Sequence, residues 1–227
     1  MLCNTFLNGK KVTYTLKRSR RRSIGLKIDS GGLMVSIPLK TALNQIDPIL
    51  LDKADWITKK LTQWENKKSL ELSWTKDAIF PLLGDSWQLS IKETGELQMS
   101  ALSAAKITTI TPQLSAQQIE KFVMAWYHQQ AIACFSQRIT LYAQKLSVPY
   151  PQFRLSRAKT RWGSCNTRGV IYLNWRLIQM PLHLVDYVIA HELSHLLEMN
   201  HSPDFWQWVK SIYPNYLMAR RELKQYG

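Results

Sequence analysis

The sequence predicts an α+β protein: a small, antiparallel β-rich N-terminal unit with one helix over residues 1–112, followed by a helix-rich domain over residues 113–227. Two observations carry this. Through the first hundred residues, short apolar–polar alternations recur between turn residues, which is the period of half-buried strands. Beyond Pro112 the apolar residues recur at three and four, which is the period of helices.

In chain order, Val12–Leu16, Ile24–Ile28 and Leu33–Ile37 read as strands, with Gly31-Gly32 as a turn. Between the first two lies Lys17-Arg18-Ser19-Arg20-Arg21-Arg22, the densest basic run, either a solvated turn or a polyanion contact. Pro48 opens a helix to about Asn66, with Ile49, Leu50, Ala54, Ile57, Leu61 and Trp64 as its core stripe. Ile79–Leu83, Trp87–Ile91, Leu97–Met99 and Lys106–Ile110 are further strands, with turns at Gly84-Asp85 and Gly95. From Ser115 to about Leu146 the pattern is helical, and Ser115 with Gln118 resembles a capping box. Phe153–Leu155 and Val170–Leu173 read as two strands joined by a polar loop. Helices follow from Pro181 to about Leu197, from Pro203 to Ile212, and after Pro214.

Composition bounds the function. The 45% hydrophobic content and nine tryptophans belong to a folded chain with a substantial core. Thirty Lys and Arg against sixteen Asp and Glu give a net charge of +14, a field that attracts polyanions or serves solubility alone. Cys3, Cys134 and Cys165 form neither a disulfide framework nor a CxxC knuckle, which suits a reducing compartment. There is no signal-peptide pattern and no run of roughly 18 apolar residues, so a cytoplasmic protein without a membrane partner is expected.

The chemistry lies in His191-Glu192-Leu193-Ser194-His195. On a helix, residues four apart share a face, so His191 and His195 can address one metal ion. Glu192 sits at the flank of that site, where a carboxylate can act as general base. The pattern arises by chance in about 0.4% of shuffled chains of this composition. A catalytic zinc takes three protein ligands and keeps one position open. His201 and Glu198 are the candidates for the third. Glu198 lies nearly on the same helical face, whereas His201 requires the helix to break after Glu198, and Asn200 and Ser202-Pro203 support such a break. His128 and His183 read as surface or packing residues.

Arg161-Trp162-Gly163-Ser164-Cys165, Ile171-Tyr172-Leu173-Asn174-Trp175-Arg176-Leu177, the HELSH segment and Asn200-His201-Ser202-Pro203-Asp204-Phe205-Trp206 together resemble the YgjP-like metal-dependent hydrolases. These are zincins related to the WLM and SprT-like metallopeptidases. The resemblance is specific from about Arg154 to Trp206 and looser over the N-terminal strands. It implies a zincin-like metallopeptidase domain for the helix-rich part, with Zn2+ on His191, His195 and His201 and Glu192 activating the zinc-bound water.

Around that centre, Arg161 is expected to stabilise an oxyanion, to grip an anionic group, or only to lock its loop. Gly163 would permit close backbone approach. Asn174 would hydrogen-bond a ligand histidine or shape a turn, and Cys165 would be a buried thiol. The leading function is a zinc metallopeptidase acting on peptides or proteins. One alternative is a metal-dependent nucleotide phosphohydrolase using Arg157, Lys159 and Arg161, although no Walker loop is present. The other is a non-catalytic nucleic-acid-binding module, with nucleic acid or nucleotide held through the basic surface.

Overall fold

The computed structural model describes residues 1–29, 31–65, 70–92, 94–104, 114–149 and 151–226. Its architecture is α+β. The chain divides into two compact units, Met1–Lys68 and Ser69–Gly227. The division expected at residue 112 falls outside the described residues, as do Asn66 and the strand expected at Lys106–Ile110. Strands near residues 79–101 belong with the C-terminal unit because Phe80, Leu82 and Leu89 share one buried core with Ile119, Val123 and Tyr127.

In the smaller unit, β1 (Leu2–Leu7), β2 (Lys10–Ser19), β3 (Gly25–Asp29) and β4 (Gly32–Pro38) form one sheet in the order β1-β2-β4-β3. Asn8 and Gly9 both have positive φ, 47° and 74°, the backbone of a tight two-residue hairpin between Leu7 and Lys10. The sheet is not wholly antiparallel as expected. β3 pairs antiparallel with β4 on its far edge, which leaves β4 running parallel to β2 with Ser19 beside Pro38. Leu7, Val12, Tyr14, Leu16, Leu33, Val35 and Ile37 alternate onto one buried face. Against it pack Ile46, Leu50, Ala54 and Ile57 from two helices rather than one, α1 (Ile46–Asp52) and α2 (Ala54–Glu65), broken at Lys53.

In the larger unit, β5 (Ile79–Leu82), β6 (Asp85–Ile91) and β7 (Leu97–Ala101) make an antiparallel meander. The 31-residue α3 (Ala116–Leu146) starts at the Ser115–Gln118 capping box, with both reciprocal hydrogen bonds present. Its Ile119, Val123, Tyr127, Ala131, Phe135 and Ile139 recur every fourth residue as one fully buried stripe. β8 (Phe153–Ser156), β9 (Gly163–Cys165) and β10 (Ile171–Asn174) form a second sheet in the order β8-β10-β9. β9 lies within the segment read as a polar loop; three residues are too few for a periodic signal. α4 (Leu182–Ser194), α5 (Pro203–Ile212) and α6 (Tyr216–Leu223) complete the unit. Among the described residues, no helix is long and apolar enough to cross a membrane.

Candidate metal centre

α4 is mounted rigidly. Leu184, Val185, Val188, Ile189, Ala190 and Leu193 are almost wholly buried. The Arg138 guanidinium on α3 donates to both carboxylate oxygens of Asp186, Nε to Oδ1 at 2.6 Å and Nη2 to Oδ2 at 2.7 Å. Such a bidentate pair fixes orientation as well as distance. It places the last turn of α4, which carries His191 and Glu192, on a fixed mount.

The helix stops three residues short of the Leu197 expected from the sequence. α4 ends at Ser194, and His195 is its C-cap. The N–H groups of Leu196, Leu197 and Glu198 bond back to Leu193 and Ser194 carbonyls, closing a last turn. The Glu198 carboxylate accepts the N–H of Asn200 at 3.2 Å, so this alternative ligand is engaged in the turn. Ser202 then caps α5 by accepting the Phe205 N–H, with Pro203 in the first turn. The chain thus doubles back and brings His201 to the two helix histidines.

One nitrogen from each of His191, His195 and His201 lies within 4.8 Å of the others, and the Nε2 atoms of His191 and His201 are 3.1 Å apart. Nitrogen ligands of a tetrahedral zinc at 2.0–2.1 Å would stand roughly 3.3 Å apart. His195 Nδ1–H donates to the Glu198 carbonyl at 3.1 Å, which leaves Nε2 with its lone pair for a ligand. Burial pushes His191 down to about 3, aided by the neighbouring His195, His201 and Arg220. Burial also lowers His195, so the fold favours the neutral, metal-binding form at both helix histidines. His191 Nδ1 is buried with no hydrogen-bond partner among the described residues.

Rings of α5 brace the cluster. Phe205 stacks on His195 at 4.5 Å and meets His191 and His201 edge-on at 4.9 and 4.8 Å. Trp206 stacks on His201 at 5.8 Å, and the Arg220 guanidinium sits 4.5 Å from the Trp206 ring. No local pattern singles out Arg220, since only the fold brings α6 to this wall.

Glu192 is buried at 5% exposure beneath β9. A Cβ built on Gly163 would fall 2.5 Å from its Oε1 and 2.6 Å from its Cγ, so the strand can pass this close only as glycine. Burial pushes the Glu192 carboxyl up to about 8, partly offset by the Arg161 charge and a backbone hydrogen bond from Cys165. Its Oε2 is buried without a partner. Arg161 is exposed and near enough for its charge to act on Glu192. Burial, then the Glu192 charge, raises the Cys165 thiol to about 11, so it remains protonated at neutral pH.

The loop that carries Arg161 is tied down by Asn174. Its Nδ2 donates to the carbonyls of Ala158 and Arg161 at 2.8 and 3.2 Å, and its Oδ1 accepts the Arg176 N–H. Asn174 therefore shapes turns and does not hydrogen-bond a histidine. His183 pairs with Glu222 at 2.7 Å and His128 packs edge-on against Trp175, both away from the cluster. Arg157 lines a separate shallow concavity of 430 Å³ with Trp175, Lys121 and Glu120.

A family model described as the YgjP-like metallopeptidase domain matches residues 22–226, nearly the whole chain. The chain belongs to the YgjP-like family. Its HELSH helix, returning His201 and Gly163 strand all lie within that match, so this YgjP-like chain carries a metallopeptidase domain. Among solved structures it is similar to the crystal structure of the metallopeptidase zymogen of Pyrococcus abyssi abylysin. That match has 20% identity, covers 40% of this chain and 93% of that one, and has a TM-score of 0.38. No curated protein sequence matches.

Proposed function

We propose that this chain is a zinc-dependent peptidase in which His191, His195 and His201 hold the metal and Glu192 is the general base. The observation that carries the reading is the convergence of three histidine nitrogens beside a buried carboxylate with an unpartnered oxygen. Three imidazoles suit zinc better than the oxygen-seeking Mg2+ or Ca2+. Three protein ligands leave a position open, whereas structural zinc takes a full set of four. This argues against a non-catalytic module.

When bound, zinc supplies Lewis acidity that acidifies water and polarises a carbonyl. Glu192 moves the proton. The Arg161 charge favours its ionised form, and zinc, when bound, would favour it further. The Cys165 N–H holds the carboxylate in place while Oε2 accepts a proton and returns it to the departing amine nitrogen. β9 is an edge strand, so an extended peptide can lie along it by main-chain pairing. Arg161, exposed on the preceding loop, stabilises negative charge as it develops on the substrate.

The test pairs elemental analysis with turnover of an unstructured peptide library. About one zinc per chain in the wild type, retained by Glu192→Gln with turnover lost, supports the reading. A wild-type protein that takes up no zinc when offered it ends the metalloenzyme reading. Undiminished turnover by Glu192→Gln removes the proposed base.

A further inference from the structure

The smaller unit holds a second feature that the peptidase chemistry leaves unused. Residues 1–68 contain fourteen of the thirty Lys and Arg but only five of the sixteen Asp and Glu. Part of this charge is gathered by topology. Because β2 and β4 run parallel with Ser19 beside Pro38, the segments that follow both strands emerge at the same end of the sheet. Arg20, Arg21 and Arg22 thereby meet Lys40, eighteen residues or more away in sequence, around a concavity of 350 Å³ that Ser19, Pro38 and Leu39 also line.

The concavity is built rather than incidental. Arg18 Nη1 donates to the carbonyls of Leu39 and Thr41 at 2.8 Å and reaches that of Pro38 at 3.4 Å. This pins the loop after β4 and occupies three carbonyl oxygens that would otherwise repel an anion. The exposed Arg21 lays its guanidinium over Gly25. Among the described residues, none of the four rim cations is in an ion pair. Three of the unit's five acidic groups are engaged elsewhere: Asp29 with Lys27, Asp52 with Lys53, and Asp55 with Asn8.

We infer that this end of the sheet binds the phosphodiester backbone of nucleic acid. Guanidinium forks match the paired oxygens of a phosphate, and several on one rigid rim match its repetition along a strand. A membrane surface fits less well. Leu39 is the one large exposed apolar side chain at the rim, and interfacial binding depends on a broader apolar face. The inference is independent of the peptidase reading, since it uses none of the histidine cluster.

The experiment measures binding of the full chain to a fluorescent 20-base-pair DNA duplex by anisotropy across a salt series. The same variants are run against vesicles containing phosphatidylglycerol. Arg20→Gln/Arg22→Gln/Lys40→Gln removes three rim charges and spares Arg21, which lies over Gly25. Lys10→Gln/Lys59→Gln/Lys60→Gln removes three charges elsewhere in the unit. The rim variant should lose about tenfold or more in affinity, and its slope of log K against log salt should shrink by about 2.7. The remote variant should change affinity less than threefold. Lys40→Gln alone, with a slope smaller by about 0.9, covers the case in which the triple variant fails to fold. Equal losses from the two triple variants would overturn the site in favour of diffuse charge. So would absence of duplex binding at low salt, or rim-dependent binding to vesicles but not to the duplex.

Discussion

Residue 163 and Glu192 are in such close register that a single methyl group on the former would collide with the carboxylate of the latter, 2.5 Å from Oε1. Strand and base are therefore one device. β9 supplies the Cys165 N–H that holds the carboxylate, and its glycine leaves the room in which that carboxylate sits.

Gly163→Ala should displace Glu192 or the strand by a fraction of an ångström to an ångström. A shift of this size costs on the order of 100-fold in rate when it falls on reacting groups. The expected result is a kcat/KM lower by about that factor with zinc content unchanged. Turnover equal to wild type in the alanine variant would show that the close approach has no catalytic consequence.

Trp206 should act through His201. It stacks on that ring at 5.8 Å and carries Arg220 on its own ring. Support of this kind around a ligand is worth about 10–100-fold in metal affinity. Competition with a chromophoric chelator should show Trp206→Leu losing about tenfold in zinc affinity and Trp206→Phe losing little. Equal losses in both variants would point to packing volume rather than ring stacking.

The histidine cluster also makes stability depend on pH. In the folded chain His191 titrates at about 3, below the ordinary value of 6.5. Between those limits the unfolded chain binds the extra proton, so stability is fully present above about 6.5 and is lost as pH falls toward 3. With zinc removed by a chelator, unfolding free energy should drop more steeply from pH 7 to 4 in the wild type than in His191→Gln. Parallel curves for the two proteins would mean that His191 is not held neutral by the fold.

Asp186 is the fixture that holds α4 to α3. Its carboxylate is 10% exposed and takes both bonds from Arg138. Removing one partner of a buried pair costs about 3–5 kcal/mol, because the other charge is stranded. Urea unfolding should therefore place Asp186→Asn at the lower end of that range below wild type. Arg138→Met/Asp186→Leu should recover most of the loss, and a double variant no better than the single would assign the cost to packing instead.

Much of this architecture was legible because it is local. The Ser115–Gln118 cap, the every-fourth-residue stripe of α3 and a break ahead of His201 are each written in a few adjacent residues, and all three appear in the structure, the break beginning at His195 rather than after Glu198. What escaped reading was long-range or too short to be periodic. The parallel pairing of β2 with β4 depends on which edge β3 chooses, and nothing within the strands encodes that. β9 has only three residues, and its role comes from lying over a helix that follows it in the chain. Arg220 reaches the centre only through the packing of α6. By contrast, the Asn8-Gly9 hairpin is a strong local signal that the alternation-based reading passed over, and β1 was missed with it.

The termination of α4 has a consequence for anyone who would improve this protein. Were the helix to run on past His195, residue 201 would lie ~9 Å farther along the axis and about two-thirds of a revolution round it, out of reach of the other two histidines. The third ligand exists because the chain leaves the α-helix between His195 and Ser202. Substitutions chosen there for high helix propensity would harden the scaffold and dismantle the centre together. Here durability and function make opposite demands on the same few residues.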